Sequence, residues 1–198
     1  MSSGLRERKK AETLAALQDA ALRLADRHGV DKVSVEAIAD AAGVSPRTFF
    51  NYFATKEDAM IGKSPTDPAP LLERLRARPA GEAPLEAMRQ AMLASLEGLQ
   101  QDPERWAMRR RVVQRHPGLA ARNAARLAEV EQDLVEEIGR RLGTDAGRDP
   151  YPGTLVAAAM GGARVALSIW QDNDDATDLG PLIDQVFAAL ATGLLPPP

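Results

Sequence analysis

The sequence predicts an all-α protein, in which a small N-terminal domain of three helices precedes a larger helical C-terminal domain. Apolar residues recur every three or four positions along nearly all of the 198 residues, which is the spacing of amphipathic helices. Ser, Pro and Gly stand at the borders of these periodic segments, where helices begin and end. No run of alternating apolar and polar residues is long enough to predict a strand.

The composition argues against several classes of protein. Hydrophobic residues make up 44% of the chain, which suffices for a packed core. Because the chain has no cysteine and two histidines, we expect no metal site and no cofactor, and the lack of cysteine indicates a reducing compartment. The net charge of −3 argues against a uniformly basic nucleic-acid-coating protein but leaves room for a local DNA-binding surface.

We expect neither a secretory signal nor a membrane span. Charged residues continue through Asp19 with no apolar segment near the N-terminus. The longest uncharged stretch, Pro150 to Ala163, ends at Arg164 and is shorter than the roughly 18–20 apolar residues of a spanning helix. The sequence therefore predicts a cytoplasmic protein with no membrane partner.

The first two helices are predicted between Arg8 and Gly43. The first runs from Arg8 to His28 and ends before Gly29, a residue suited to the left-handed conformation at a helix end. A second, short helix is capped by Ser34 and closed by Gly43. The apolar stripe of the first helix consists of Leu14, Leu17, Ala21 and Leu24.

The third predicted helix is capped by Ser45 and extends to Phe53. Pro46 occupies its first turn, where a missing backbone N–H costs nothing. Thr55 followed by Asp58 resembles a capping box and opens a fourth helix.

The stretch from Gly62 to Pro84 separates the two predicted domains. It is rich in Pro, Ala and Gly, which interrupt helices and favour turns. We therefore predict a helix-turn-helix domain over residues 1–62 and a helical domain over residues 63–198.

The last two helices of the chain are strongly apolar. Thr154 to Trp170 is apolar on all sides apart from Arg164, which predicts burial against several helices or another subunit. A buried Arg164 must find an anion or carbonyl groups. Leu179 to Leu195 forms a final helix before the prolines at 196–198.

The segment from Val33 to Lys56 predicts a helix-turn-helix whose second helix contacts DNA. Arginine bonds guanine edges, asparagine bonds adenine, and aromatic rings contact thymine methyl groups. Ser34, Tyr52 and Lys56 stand near helix ends, where polar groups reach phosphates. The side chains displayed by the second helix are Arg47, Thr48, Phe50, Asn51 and Tyr52.

Four aromatic residues within five positions cannot all be buried in so small a domain. We expect Phe49 and Phe53 in the core and Phe50 and Tyr52 outside it. For Arg47, a base contact and a solvated side chain both stay open.

Residues 43–57, GVSPRTFFNYFATKE, resemble the DNA-binding segment of TetR-type transcriptional regulators. That family has a Gly-Val-Ser turn, then Thr, two aromatic or aliphatic residues and Tyr-Phe-x-x-Lys-Glu. Phe50 departs from the family's common Tyr and loses a phenol bond to phosphate, and Phe49 replaces a common Leu. The resemblance implies DNA-contact roles for Ser45, Arg47, Thr48, Phe50, Asn51, Tyr52 and Lys56.

The C-terminal half resembles the branch of this family that binds acyl-CoA-like ligands and includes regulators of mycofactocin gene clusters. The similar segments are HPGLAARNAARLAEVEQDLVEEIGRRLG and GGARVALSIW. The resemblance implies a ligand-binding domain and a homodimer formed through the last two long helices. Such a two-fold dimer sets its recognition helices about 34–36 Å apart on a pseudo-palindromic site.

The candidate effector site combines methionines and other apolar residues with arginines. Methionine faces form adaptable apolar cavities, although each of these residues can equally be ordinary core. Arg110 can neutralise a phosphate or carboxylate or lie on a solvated face, and Arg164 can pair with a structural carboxylate instead of a ligand. The candidates are Met88, Met92, Leu96, Trp106, Arg110, Val113 and Arg164.

Together these features predict a homodimeric, ligand-responsive transcriptional regulator, a repressor, whose partners are double-stranded DNA and a small hydrophobic or acyl-CoA-like effector. The alternative is a helical lipid- or acyl-binding module that does not read DNA. An enzyme is not expected, since neither His28 nor His116 stands near an obvious serine nucleophile, and we predict no catalytic residue.

Overall fold

The computed structural model of the chain describes residues 2–62, 70–172 and 178–194, and within these ranges it contains helices and no strand. The prediction of an all-α protein is confirmed. A 3₁₀ turn covers Val30–Lys32. The α-helices in these ranges are α1 (Ser2–His28), α2 (Val35–Ala41), α3 (Pro46–Phe50), α4 (Lys56–Ile61), α5 (Pro70–Arg76), α6 (Pro84–Gln101), α7 (Pro103–Arg115), α8 (Pro117–Leu142), α9 (Pro150–Asp172) and α10 (Leu179–Ala191).

The predicted helix caps are confirmed, whereas some helix ends differ from the prediction. The hydroxyls of Ser45 and Thr55 each accept the N–H three residues further on, at 3.1 Å. α1 begins before Arg8, and α3 ends at Phe50 instead of Phe53 because the chain turns there. The predicted stop at prolines 196–198 and most of the predicted junction lie outside the described residues.

The chain divides into two compact units. Unit 1 comprises the described residues of 1–68 together with 104–126, and unit 2 comprises those of 69–103 and 127–198. The inclusion of 104–126 in the N-terminal unit was not predicted. The predicted domain boundary between residues 62 and 63 stays a prediction, since the residues that follow it lie outside the described ranges.

Unit 1 is held together by an aromatic and aliphatic core. α1 packs against α2 and α4, and α2 packs against α3. Leu17 and Ala21 of the predicted α1 stripe are fully buried, as are Phe49 and Phe53. Val112 and Leu119 from the second segment join the same core, and Met108 and Val113 pack against it. Burial of these apolar groups therefore accounts for the attachment of 104–126 to the N-terminal helices.

Unit 2 is built on α6, α9 and α10, which contact one another, and α5 packs against α6. A Cβ atom at Gly162 of α9 would overlap Cγ1 of Val186 in α10. The glycine therefore permits these two helices to approach closely.

α9 is only partly buried in the single chain. Ala159, Ala163 and Trp170 lie in the core, whereas Val165 and Ile169 are 55% and 42% exposed. Arg164 is exposed as well. The prediction that Arg164 is buried was therefore wrong, because it lies on the side of α9 that the other helices of the chain leave uncovered.

Pro150–Gln171, with a mean hydropathy of 1.3, is long and apolar enough to cross a membrane by length and composition. The sequence prediction ended this stretch at Arg164 and so judged it too short. One such helix is weak evidence for a membrane span, and α9 buries Ala159, Ala163 and Trp170 within the chain.

Candidate DNA-binding surface

The helix-turn-helix is fixed by its turn and by three apolar side chains. Gly43 has φ of 68°, a left-handed conformation that favours glycine, and the N–H of Val44 bonds the carbonyl of Ala39 at 2.9 Å. Ile38 and Phe49 are fully buried, and Val44 packs against the same core. These three apolar side chains therefore fix the angle between α2 and α3.

The hydroxyl groups at the helix starts cap the helices. Ser34 Oγ accepts the N–H of Ala37 at 3.1 Å and begins α2. Ser45 caps the start of α3, and its Oγ also forms a hydrogen bond with Oγ1 of Thr48 at 2.9 Å. Ser34 and Ser45 are exposed and Thr48 is half-buried, so the predicted phosphate and base contacts of these residues stay predictions that their positions permit.

α3 presents a set of exposed side chains of different chemistry. Arg47 and Asn51 are exposed, and Phe50 is 58% exposed. The Phe50 ring meets the ring of the buried Phe49 edge-on, with centroids 5.5 Å apart, which restrains it. The face therefore offers a guanidinium, a carboxamide and a phenyl ring, which are groups that read base edges in a major groove.

Tyr52 and Lys56 are less exposed to solvent than predicted. Tyr52 is half-buried and packs against the core of unit 1. The ammonium of Lys56 donates to the carbonyls of Val30 and Val33, at 2.9 and 2.8 Å. Lys56 thus ties the start of α4 to the 3₁₀ turn, and a phosphate contact by its remaining N–H stays a prediction.

α4 is held at both ends by arginines from the second segment of unit 1. Arg122 lies 3.2 Å from Thr55 Oγ1 and 3.6 Å from Asp58 Oδ1, at the start of the helix. Arg109 donates to the carbonyl of Ile61, the last residue of the helix. Sequence reasoning missed this clamp because its partners stand 48 and 67 positions apart, and periodicity carries no signal over such separations.

The predicted effector-site residues fall in both units. Met88 and Met92 are buried and Leu96 is half-buried in unit 2, where Arg164 is exposed. In unit 1, Trp106 and Val113 are half-buried and Arg110 is exposed. The seven residues belong to two different units, so a pocket formed by all of them stays a prediction. Met88 and Met92 occupy the positions expected of ordinary core residues as well as of a pocket lining.

A groove of about 470 Å³ in unit 2 was not predicted. It lies between α6 and α10 and is apolar apart from three ion-paired side chains. Arg89 donates a hydrogen bond to Glu86 at 2.7 Å and pairs with Asp184, so the two carboxylates of this groove share one guanidinium. The pKa of Glu86 is lowered to about 2, chiefly by its hydrogen bond from Arg89. Within the described ranges there is no cluster of three or more metal-ligating side chains.

Two regions of the chain match known protein families. Residues 17–59 match the family described as bacterial regulatory proteins, tetR family. Residues 82–195, more than half of the chain, match the MftR C-terminal domain.

Full-length relatives agree with these matches. The chain is 37% identical over 187 residues to the HTH-type transcriptional regulator TcmR of Streptomyces glaucescens, which covers 90% of this chain and 81% of that protein. It is 29% identical over 187 residues to the mycofactocin biosynthesis transcriptional regulator MftR of Mycobacterium tuberculosis, covering 94% and 93% of the two chains. The solved structure of the fatty acid degradation regulator FadR from Bacillus halodurans shares the fold, with a TM-score of 0.59 at 23% identity over 92% of this chain and 96% of that one. The chain therefore belongs to the TetR family of bacterial regulatory proteins, and its C-terminal domain is of the MftR type.

Proposed function

We propose that the protein is a homodimeric transcriptional repressor that binds a pseudo-palindromic DNA operator in the cytoplasm and responds to a small hydrophobic or acyl-CoA-like effector. The observation that carries the proposal is the exposed face of α3. Burial of Phe49 anchors this short helix, while Arg47, Phe50 and Asn51 face outward. An exposed phenyl ring between a guanidinium and a carboxamide is suited to a DNA groove.

The side chains of this surface divide into two roles. Arg47 and Asn51 read base edges, through the paired donors of the guanidinium and the donor and acceptor of the carboxamide, and Phe50 contacts a thymine methyl group. Phosphates are bound by groups at the helix starts, where backbone N–H groups and hydroxyls favour anions. The phosphate contacts we assign are Ser34, Ser45, Thr48, Tyr52 and Lys56.

The uncovered face of α9 supports the dimer. Val165 and Ile169 are one helical turn apart and both exposed, and Tyr151 is 50% exposed nearer the start of the helix. Large apolar residues exposed together on one helix indicate a protein partner. A second copy of the chain, paired through α9 and α10, covers this face.

The effector proposal rests on the C-terminal half. The match to the MftR C-terminal domain and the name of the Bacillus halodurans regulator, which refers to fatty acid degradation, favour an acyl-type ligand. The alternative function, an acyl-binding module that does not read DNA, leaves the exposed Arg47, Phe50 and Asn51 without a role. An enzyme has no support in the residues that the structure brings together.

A mobility shift on the DNA that flanks the protein's own gene tests the proposal. We expect a discrete complex at submicromolar protein that a scrambled duplex does not compete away, with affinity that falls as salt rises because phosphate contacts release counterions. Equal binding to the scrambled duplex at every salt concentration would contradict the proposal.

A further inference from the structure

A half-buried guanidinium in unit 1, that of Arg109, lies where α7 meets the end of α4. Nη2 of Arg109 donates to the carbonyl of Ile61 and, at 3.4 Å, to Oδ1 of Asn123. The guanidinium carbon lies 5.5 Å from the ring centroid of Trp106, one turn earlier on α7. Arg109 therefore bridges the last carbonyl of α4 and an indole ring.

The hydrogen-bonding capacity of this pair is largely unused. Within the described residues, no carboxylate forms an ion pair with Arg109, and Nε and Nη1 donate no hydrogen bond. The indole Nε1 of Trp106 is buried and also has no partner among them. A donor removed from water without an acceptor is costly, so the buried indole N–H beside the free N–H groups of a half-buried guanidinium is an unusual arrangement.

The charged groups that act on Arg109 are positive, like Arg109 itself. Loss of hydration, together with the positive charges of Arg126 and Arg105, lowers the pKa of Arg109 to about 10. The guanidinium stays protonated at neutral pH, and among the described residues its positive charge contacts the Ile61 carbonyl, the Asn123 amide oxygen and the face of Trp106. The negative end of the α4 dipole compensates part of this charge, but no carboxylate in the described ranges pairs with it.

We propose that Arg109 and Trp106 bind the carboxylate or phosphate group of a small apolar molecule, and that this molecule is the effector of the proposed regulator. A paired contact to a guanidinium uses Nη2 together with Nε or Nη1, so an oxyanion takes one free N–H and displaces an acceptor of Nη2, while the indole N–H donates a third bond. Such charge-assisted bonds are the strong ones. The half-buried Trp106 ring offers apolar contact beside the charged group. The inference assigns the anion to Arg109 and not to the exposed Arg110.

The same guanidinium links the site to the DNA-binding helices. Arg109 donates to the last carbonyl of α4, and α4 packs against α1 in the unit that carries the helix-turn-helix. An anion that binds Arg109 competes with this carbonyl, so occupancy of the site and the position of α4 are coupled. This regulatory consequence rests on the proposed function, whereas anion binding itself is measurable without DNA.

The test uses the intrinsic fluorescence of Trp106 in the full chain. The protein has two tryptophans, so Trp170→Phe leaves Trp106 as the only indole. This variant is titrated with sodium octanoate, octyl phosphate and 1-octanol, which share one alkyl chain and differ in the charged group. We expect saturable emission changes with octanoate or octyl phosphate and none with octanol at the same concentrations. The tighter of the two anions identifies the head group.

Substitutions in the same background locate the site. Arg109→Gln should weaken binding of the preferred anion at least tenfold, while Arg110→Gln, the matched control, should change it less than twofold. Equal binding of octanol and the anions, or an unchanged affinity in Arg109→Gln, overturns the inference. If Arg109→Gln fails to fold, Arg109→Lys keeps the charge but loses the paired donors and should bind the anion more weakly than the parent. Operator binding that the bound anion leaves unchanged would overturn its assignment as the effector and leave operator binding by the regulator intact.

Discussion

At the level of single residues, the neighbouring rings of Phe49 and Phe50 have different roles. Phe49 is fully buried and contacts the ring of Phe53, with centroids 5.6 Å apart. Phe50 leaves 58% of its surface exposed to water, and this exposed apolar surface does not stabilise the monomer. The first ring therefore fixes the helix, and the second is available to a partner.

Alanine substitutions at Phe50 and Phe53 should separate stability from DNA binding. Phe53→Ala removes a fully buried ring and should lower the free energy of unfolding by about 3–5 kcal/mol. Phe50→Ala should change the stability by about 0.5 kcal/mol or less and weaken operator binding. Urea unfolding and a mobility shift measure the two effects. A large loss of stability in Phe50→Ala would show that its ring belongs to the core.

Lys56→Ala should destabilise the protein. Removing the ammonium leaves the carbonyls of Val30 and Val33 without their donor, and hydrogen bonds to charged groups contribute about 1.5–3 kcal/mol. Lys32→Ala, an exposed lysine of the same 3₁₀ turn, is the control and should stay within about 0.5 kcal/mol of the parent. Equal urea midpoints for the two variants would contradict the structural role. If Lys56 also contacts a phosphate, Lys56→Ala should lower the slope of log affinity against log salt concentration by about one.

At the scale of elements, α4 depends on its ends. It has six residues, Thr55 caps its start, and Gly62 ends it with φ of 72°. So short a helix has little stability of its own, because nucleating a helix is unfavourable. The bonds from Arg122 and Arg109 at its two ends therefore make its position depend on the segment 104–126.

Substituting Gly62 and Gly118 by alanine should have opposite effects on stability. Gly62→Ala forces a side chain into a left-handed conformation, at a cost of about 1–2 kcal/mol. Gly118 lies in α8 with open space around its Cα, so Gly118→Ala should be neutral or stabilising by up to about 1 kcal/mol. Thermal unfolding followed by circular dichroism compares them. Equal destabilisation of both would mean that the backbone at Gly62 is not left-handed in solution.

The sequence predicted these elements well where the signal was local. The hydroxyls of Ser45 and Thr55 and the flexible backbone of Gly43 mark helix ends. The helical spacing of Leu17 and Ala21 identifies the buried face of α1. Tyr52 was harder to place, because it follows the end of α3, where helical spacing no longer says which way a side chain points. The arginine clamp on α4 joins residues far apart in the chain, so no local pattern could reveal it.

At the scale of the whole molecule, the uncovered face of α9 is the main feature that a single chain leaves unexplained. Arg164 illustrates why the sequence could not resolve it. A nearly all-apolar helix predicts burial on every side, but the pattern does not tell burial within the chain from burial against a second copy. The structure covers one face of α9 and leaves Val165 and Ile169 exposed, which is where we propose the partner subunit packs.

Ile169→Asp should therefore dissociate the dimer. A carboxylate placed in an apolar interface loses its hydration without gaining a partner. Leu142→Asp, a comparable exposed apolar residue on α8, is the control and should stay dimeric. Sedimentation velocity at micromolar concentration distinguishes the two states. A parent protein that sediments as a monomer, or an Ile169→Asp variant that stays dimeric, would contradict the assigned interface.

A binding-preference profile over a randomised DNA library tests whether α3 reads DNA bases. The parent protein should select two symmetric half-sites with centres about 34–36 Å apart. Arg47→Ala should lose the preference for guanine at one position in each half-site, by about 1–3 kcal/mol, while the control Arg148→Ala keeps the parent profile. A parent protein without sequence preference, or an Arg47→Ala profile identical to that of the parent, would contradict the claim.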